Sequence, residues 1–176
     1  TNPATNFQIF SENASNGDFI NIQALDSKYG VIYSNYESGG QNQVAAFVEW
    51  DDFKAADQNT NASQVILRNG ALSSNVSAMT VYNNSDSSNS TLYIGTEGGQ
   101  LLKVEDANSY TSTTAGGVTT LTSDAKWTRL TGNEFLGSIS DIEFGKSDQE
   151  IFVTFHNYGV NNIFYSSDGG ANWSSK

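Results

Sequence analysis

The chain has 176 residues, enough for one ordinary domain, and its 19 acidic side chains against eight basic ones leave a formal net charge of −11. So few cations argue against a nucleic-acid partner and against an anionic membrane surface. Cysteine is absent, which excludes disulfides, thiol catalysis and thiolate metal sites.

Hydrophobic residues make up only 37% of the chain but aromatic ones 12%, too many for a disordered segment. Asn, Ser, Thr and Gly occupy the places that charged residues usually take, a balance that favours strands and polar turns over helices. No apolar stretch has membrane-spanning length, so no membrane insertion is expected. Thr1 in first position fits a processed chain or a fragment.

Residues 1–17 read as a separate N-terminal segment with one apolar patch, Phe7, Ile9 and Phe10. A strand from Phe19 to Leu25, a turn at Asp26–Lys28 and a returning strand from Tyr29 to Ser34 follow, and after Ser38–Gly40 a third strand from Val44 to Trp50. Asp51–Asp57 suits one helical turn, and Gln64–Arg68 a fourth strand. A second set follows with strands at Val76–Tyr82, Thr91–Thr96, Gln100–Glu105 and Lys126–Leu130, and the polar loop before the last, with Val118 and Leu121, has room for an extra hairpin. The third set has strands at Ser138–Phe144, Glu150–Phe155 and Asn161–Tyr165.

Phe19, Val76 and Ile139 correspond, as do Ile22, Met79 and Ile142, and the runs starting at Val31, Leu92 and Ile151 align, at a spacing of roughly sixty residues. The expected organisation is three units of four short strands, 18–70, 75–131 and 137–176, the content of three blades of an all-β partial propeller. A self-contained β-sandwich is the alternative. Three blades do not close a ring, so the partners expected are remaining blades in the parent protein or in another chain, with glycan or protein as further possibilities.

The third set ends in Ser166-Ser167-Asp168-Gly169-Gly170-Ala171-Asn172-Trp173. An Asp followed by two glycines combines a side-chain acceptor with residues that take positive φ, which predicts a tight turn between antiparallel strands with Trp173 folding back as its cover. This pattern resembles the Asp-box, or BNR repeat, of sialidase-, sortilin- and xyloglucanase-type β-propellers, with Asn in place of the commoner Thr before the Trp. The resemblance implies that the turn joins the third and fourth strands of a blade, and that Ser166, Asp168, Gly170 and Trp173 are structural. The acidic, polar, long-looped chain is also similar to propeller regions of large secreted or surface proteins of the Bacteroidota, which implies an extracellular or cell-surface location.

Asp-box relatives include hydrolases, receptors and assembly factors, so the fold does not select a function. Sialidases of this type use three arginines, a Tyr–Glu arrangement and an Asp acid, whereas this chain has only Arg68 and Arg129, both on outer strands of the reading above. A glycoside hydrolase acting on β-glucan or a related polysaccharide would need two carboxyl groups facing one sugar ring. Asp26, Glu97 and Asp141 are the catalytic candidates; their structural alternatives are a turn former, an exposed turn charge and an acceptor of backbone bonds. His156 stands alone, and the oxygen-rich turns 83–89 and 51–57 are the candidates for loose calcium binding, without EF-hand spacing. No cofactor is expected, and a non-enzymatic scaffold or binding segment is the preferred reading over the hydrolase.

Overall fold

The computed structural model describes residues 21–48, 63–84, 86–130, 135–159 and 161–176. The N-terminal segment 1–17 with Phe7, Ile9 and Phe10, the start of the predicted Phe19 strand, the end of the predicted Val44–Trp50 strand, the Asp51–Asp57 helical turn and the 51–57 calcium candidate lie outside the described residues. The described residues form an all-β structure of three four-stranded antiparallel sheets and one two-stranded hairpin.

The first sheet is a meander of β1 (Gln23–Asp26), β2 (Val31–Ser38), β3 (Gln41–Val48) and β4 (Ser63–Leu67). The second contains β5 (Val76–Tyr82), β6 (Thr91–Thr96), β7 (Leu101–Glu105) and, beyond an inserted hairpin, β10 (Lys126–Arg129). The hairpin is β8 (Tyr110–Ala115) and β9 (Val118–Ser123); its two-residue turn, Gly116-Gly117, has φ of 59° and 81°, the twist that a tight hairpin requires. The third sheet contains β11 (Ile139–Phe144), β12 (Ile151–Phe155), β13 (Ile163–Ser166) and the short β14 (Ser174–Ser175).

The sheets stack in chain order, with β1 beside β5 and β5 beside β11. Each sheet therefore has a leading face toward its predecessor and a trailing face toward its successor. On the second sheet both faces are buried. Leu92, Ile94, Leu102 and Val104 join the core shared with the first sheet, whereas Ala78, Tyr93 and Leu101 join the core shared with the third. That is the period-two geometry of a strand placed between two apolar layers, and it explains why β6 reads as a nearly continuous apolar run.

At the second interface Gly95 permits close approach: a Cβ there would stand 2.5 Å from Ile139 Cγ2. Phe144 packs edge-on against Tyr93 with ring centroids 4.7 Å apart, and Ser77 Oγ donates to the Ile139 carbonyl at 2.6 Å. The ladders β5/β6 and β11/β12 both shift register at their first residues, between Val76 and Ala78 and between Ile139 and Asp141. The correspondence of Val76 with Ile139 thus extends to a shared irregularity.

The first set aligns differently from the sequence reading. Tyr33 is on the trailing face of its sheet, in the core shared with the second sheet, and Tyr93 is on the trailing face of the second. Ile32 pairs with Leu25, Leu92 with Val81 and Ile151 with Phe144. Matching faces therefore equates Ile32 with Leu92 and Ile151, and Tyr33 with Tyr93 and Phe152. Likewise Ile22, not Gln23, matches Ala78 and Asp141. Alignment of Val31 with Leu92, or of Ile22 with Met79, places inward residues on the wrong face; a one-residue slip reverses every side chain.

Candidate functional site

The chemistry-bearing side chains gather in the turns at the sheet ends. Asp26, at the end of β1, is buried. Its Oδ1 accepts the backbone N–H groups of Lys28 and Tyr29 at 2.9 and 3.2 Å. Its Oδ2 accepts Asn83 Nδ2 at 2.8 Å and a short hydrogen bond from Ser90 Oγ. One carboxylate therefore closes the β1–β2 turn and clips it to the β5–β6 connection of the next sheet. Four donors thus surround this carboxylate, two on each oxygen.

Lys28 completes that clip. Its ammonium donates to the carbonyls of Asn84 and Ser87 at 3.0 and 2.8 Å, and the Tyr29 hydroxyl makes a short bond to the same Ser87 carbonyl. The oxygens of the 83–89 turn that suggested calcium thus receive a lysine cation, while Asn83 and Asn89 donate to Asp26 and Asp106. Among the described residues no cluster of three His, Cys, Asp or Glu side chains is arranged to hold a metal ion.

Glu97 is exposed in the β6–β7 turn, bonded to Asn75 Nδ2 at 3.2 Å. Asp141 is exposed on β11, where it accepts the N–H of Ile142 at 3.0 Å. These candidates do not converge. Asp26 bonds to the connection that precedes β6 and Glu97 follows β6, whose six residues span about 20 Å. Asp141 alternates with Ile142, whose side chain enters the core against the second sheet, so its carboxylate is on the opposite, trailing face of the third sheet. A retaining or inverting pair needs about 5–9.5 Å.

The 166–173 turn joins β13 to β14, the third and fourth strands of its sheet. Ser166 Oγ accepts Gly170 N–H and donates to Asp168 Oδ1, both at 2.8 Å. Asp168 Oδ1 also accepts Asn172 N–H at 2.9 Å, and Oδ2 accepts Asn172 Nδ2 at 2.7 Å. Asn172 thus binds the same carboxylate twice, through its backbone and its side chain. Bonds from the Asn172 side chain, then its backbone, then Ser166 hold the Asp168 carboxyl below the ordinary carboxylate range.

Gly169 and Gly170 have φ of 69° and 90°, which L side chains adopt only with strain. Trp173 Nε1 donates to the carbonyls of Leu130 and Gly170 at 2.9 and 3.1 Å, and its ring meets Phe135 with centroids 4.9 Å apart. Leu130 directly follows β10, so Trp173 fastens the last turn of the third sheet to the outer edge of the second.

Of the other sequence candidates, Arg68 follows β4 and Arg129 ends β10, both at the outer strands of their sheets. His156 is exposed beyond β12, its backbone N–H bonded to the Ser138 carbonyl. Among the described residues, open cavities of 460 and 330 Å³ are formed around Asn69 and around Asn89; neither is lined by Asp26, Glu97 or Asp141. The sequence reading did not single out Lys28, Asn83, Ser90 or Leu130. Three are ordinary polar residues in or beside turns and one is an ordinary apolar residue, and their partners lie 43 to 64 residues away.

Comparison of this chain with protein-family models, with curated protein sequences and with solved structures gives no match.

Proposed function

We propose that the chain is a non-enzymatic scaffold or binding segment, its three sheets being consecutive blades of a β-propeller. The observation that carries this reading is the use of its chemical groups. Asp26, Lys28, Asp168 and Trp173 all hold turns closed or hold one sheet to the next. The order of strands supports the propeller geometry: the first strand of each meander lies beside the first strand of the next, as strands around a common axis would. The Asp-box resemblance agrees with the bond pattern of the 166–173 turn. Extracellular or cell-surface placement is part of the proposal and rests on that resemblance alone.

The hydrolase alternative requires two convergent carboxylates, and the three candidates are dispersed over different ends and faces of the sheets. Incubation of the protein with soluble β-glucans and measurement of reducing ends tests the choice. No release above the buffer rate is expected. Release abolished by Asp26→Asn, Glu97→Gln or Asp141→Asn would overturn it.

A further inference from the structure

We propose that the open cavity between the β2–β3 turn and the β4–β5 connection is a binding site for a saccharide carrying a single carboxylate, with Arg68 taking the carboxylate and the side-chain amides around it taking the hydroxyls. The inference goes beyond the scaffold reading above and uses none of the three candidate acids.

The cavity, 460 Å³ in volume, is lined by Gln41, Asn42, Arg68, Asn69, Leu72 and Ser73 together with two glycines. Small-molecule sites usually occupy about 300–1,000 Å³. The lining holds one cation and no acid, in a chain whose net charge is −11. A positive centre in negative surroundings admits one anionic group and repels a polyanion.

Arg68 differs in its partners from the lysines of the second sheet. Lys103 faces Glu105 and Asp148, and Lys126 faces Asp106. Arg68 has no carboxylate within ion-pair distance among the described residues; its Nε donates to Gln43 Oε1 at 3.2 Å. Gln43 is buried and, like Arg68, stands one residue beyond the Val44–Leu67 pair. A neutral amide thus fixes the guanidinium without cancelling its charge, and the Nη groups keep the planar pair of donors that suits a carboxylate.

The opposite wall is fixed by a second buried glutamine. Gln100, just before β7, donates through Nε2 to the Ala71 carbonyl at 2.9 Å and to Ser73 Oγ at 3.0 Å, and its Oε1 accepts the Ser73 N–H at 3.2 Å. Asn69 Oδ1 accepts the Ala71 N–H at 2.9 Å, which leaves its amide donors for a ligand. A rim held in place before binding costs little further ordering. Amide and hydroxyl side chains together both donate and accept, as sugar hydroxyls do. An acidic peptide would satisfy Arg68 but brings few hydroxyls to Asn42, Asn69 and Ser73. Gly40 and Gly70 keep the mouth clear, since a Cβ at either would meet nothing within 4 Å.

Titration of isotope-labelled protein, followed through its backbone amide resonances, tests this with a disaccharide of one uronic acid and one neutral hexose, the neutral disaccharide of the same linkage, and an acidic dipeptide. Saturable shifts at the Gly40 and Gly70 amides are expected with millimolar uronate disaccharide, and binding of the other two probes should be weaker by about tenfold or more. Arg68→Gln should weaken the uronate disaccharide by about tenfold or more, and Asn42→Ala, with Arg68 intact, should weaken both disaccharides. Lys146→Gln, which removes an exposed cation outside the cavity, should change neither. Absence of saturable shifts, shifts remote from these glycines, a neutral disaccharide or dipeptide bound as tightly as the uronate, or undiminished uronate binding by Arg68→Gln would each overturn the proposal. None of these outcomes bears on the hydrolysis assay, so the two readings fail separately.

Discussion

Replacement of Gly95 by alanine tests the packing of the second sheet on the third with a sign opposite to that of intrinsic propensity. Glycine inside a strand ordinarily costs about 0.5–1 kcal/mol relative to alanine, so the change should stabilise an uncrowded site. Here the new methyl would stand 2.5 Å from Ile139 Cγ2, 2.8 Å from Ile139 Cβ and 3.3 Å from Ala78 Cβ, against a comfortable carbon–carbon separation of about 3.5–4.0 Å. Rotation of Ile139 cannot relieve the contact with its Cβ, which moves only with the β11 backbone, and Ile139 is fully buried. Overpacking of this degree costs about 1–3 kcal/mol. For a chain of this size that corresponds to a melting temperature lower by about 2–12 °C.

Thermal and urea unfolding would measure the effect, with Gly70→Ala as the control, since nothing lies within 4 Å of a Cβ there. Combination with Ile139→Ala removes the closest atom, so the double variant should be more stable than the sum of the single losses by at least about 0.5 kcal/mol. A Gly95→Ala protein as stable as wild type, or more so, would refute the close approach of β6 and β11.

Three further outcomes follow from the turns and the core. Asp26→Ala should destabilise by about 2–4 kcal/mol, because Asn83 and Ser90 lose a buried charged acceptor; a loss under about 1 kcal/mol in urea unfolding would contradict the clip between the first two sheets. Tyr33→Phe should fall within about 0.5 kcal/mol of wild type or above it, because among the described residues the buried Tyr33 hydroxyl has no hydrogen-bond partner of good geometry, Ser90 being the polar side chain that acts on it; a loss above about 1.5 kcal/mol would mean that the Ser90 contact is a sound bond. Asp168 has a depressed carboxyl pKa in the folded protein. Its contribution is therefore present above the unfolded value of about 3.9 and lost as pH falls through the lower folded value. The stability difference between wild type and Asp168→Asn should shrink below about pH 4; a difference independent of pH from 6 to 2.5 would show that the charge is not what holds the turn.

Much of the strand content was legible in the residues. β5 and β6 lie at the limits read from Val76–Tyr82 and Thr91–Thr96, because apolar and β-branched runs bounded by polar turns have few other ways to satisfy their backbone. Room for the extra hairpin was read from Val118 and Leu121 in the polar loop, and the structure turns it at Gly116-Gly117. The alignment of the first set was not legible. Val31-Ile32-Tyr33 is apolar at every position, so periodicity does not say which residues face the next sheet, and only the packing of Tyr33 against the second sheet shows the shift.

The sequence by itself determined where chain direction reverses and what kind of element lies between reversals, since glycine's positive φ, the Asp side-chain acceptor and alternating apolar residues act over a few bonds. Only the tertiary structure decided what the polar residues are for. Asp26, Asp141 and Glu97 are indistinguishable as acids in a string of letters. Their environments differ because sheets distant in sequence bring Asn83 and Ser90 to the first and leave the other two in solvent. The same holds for Phe152 and Tyr33, alike in composition and strand position, one open and one covered according to whether another sheet lies against it.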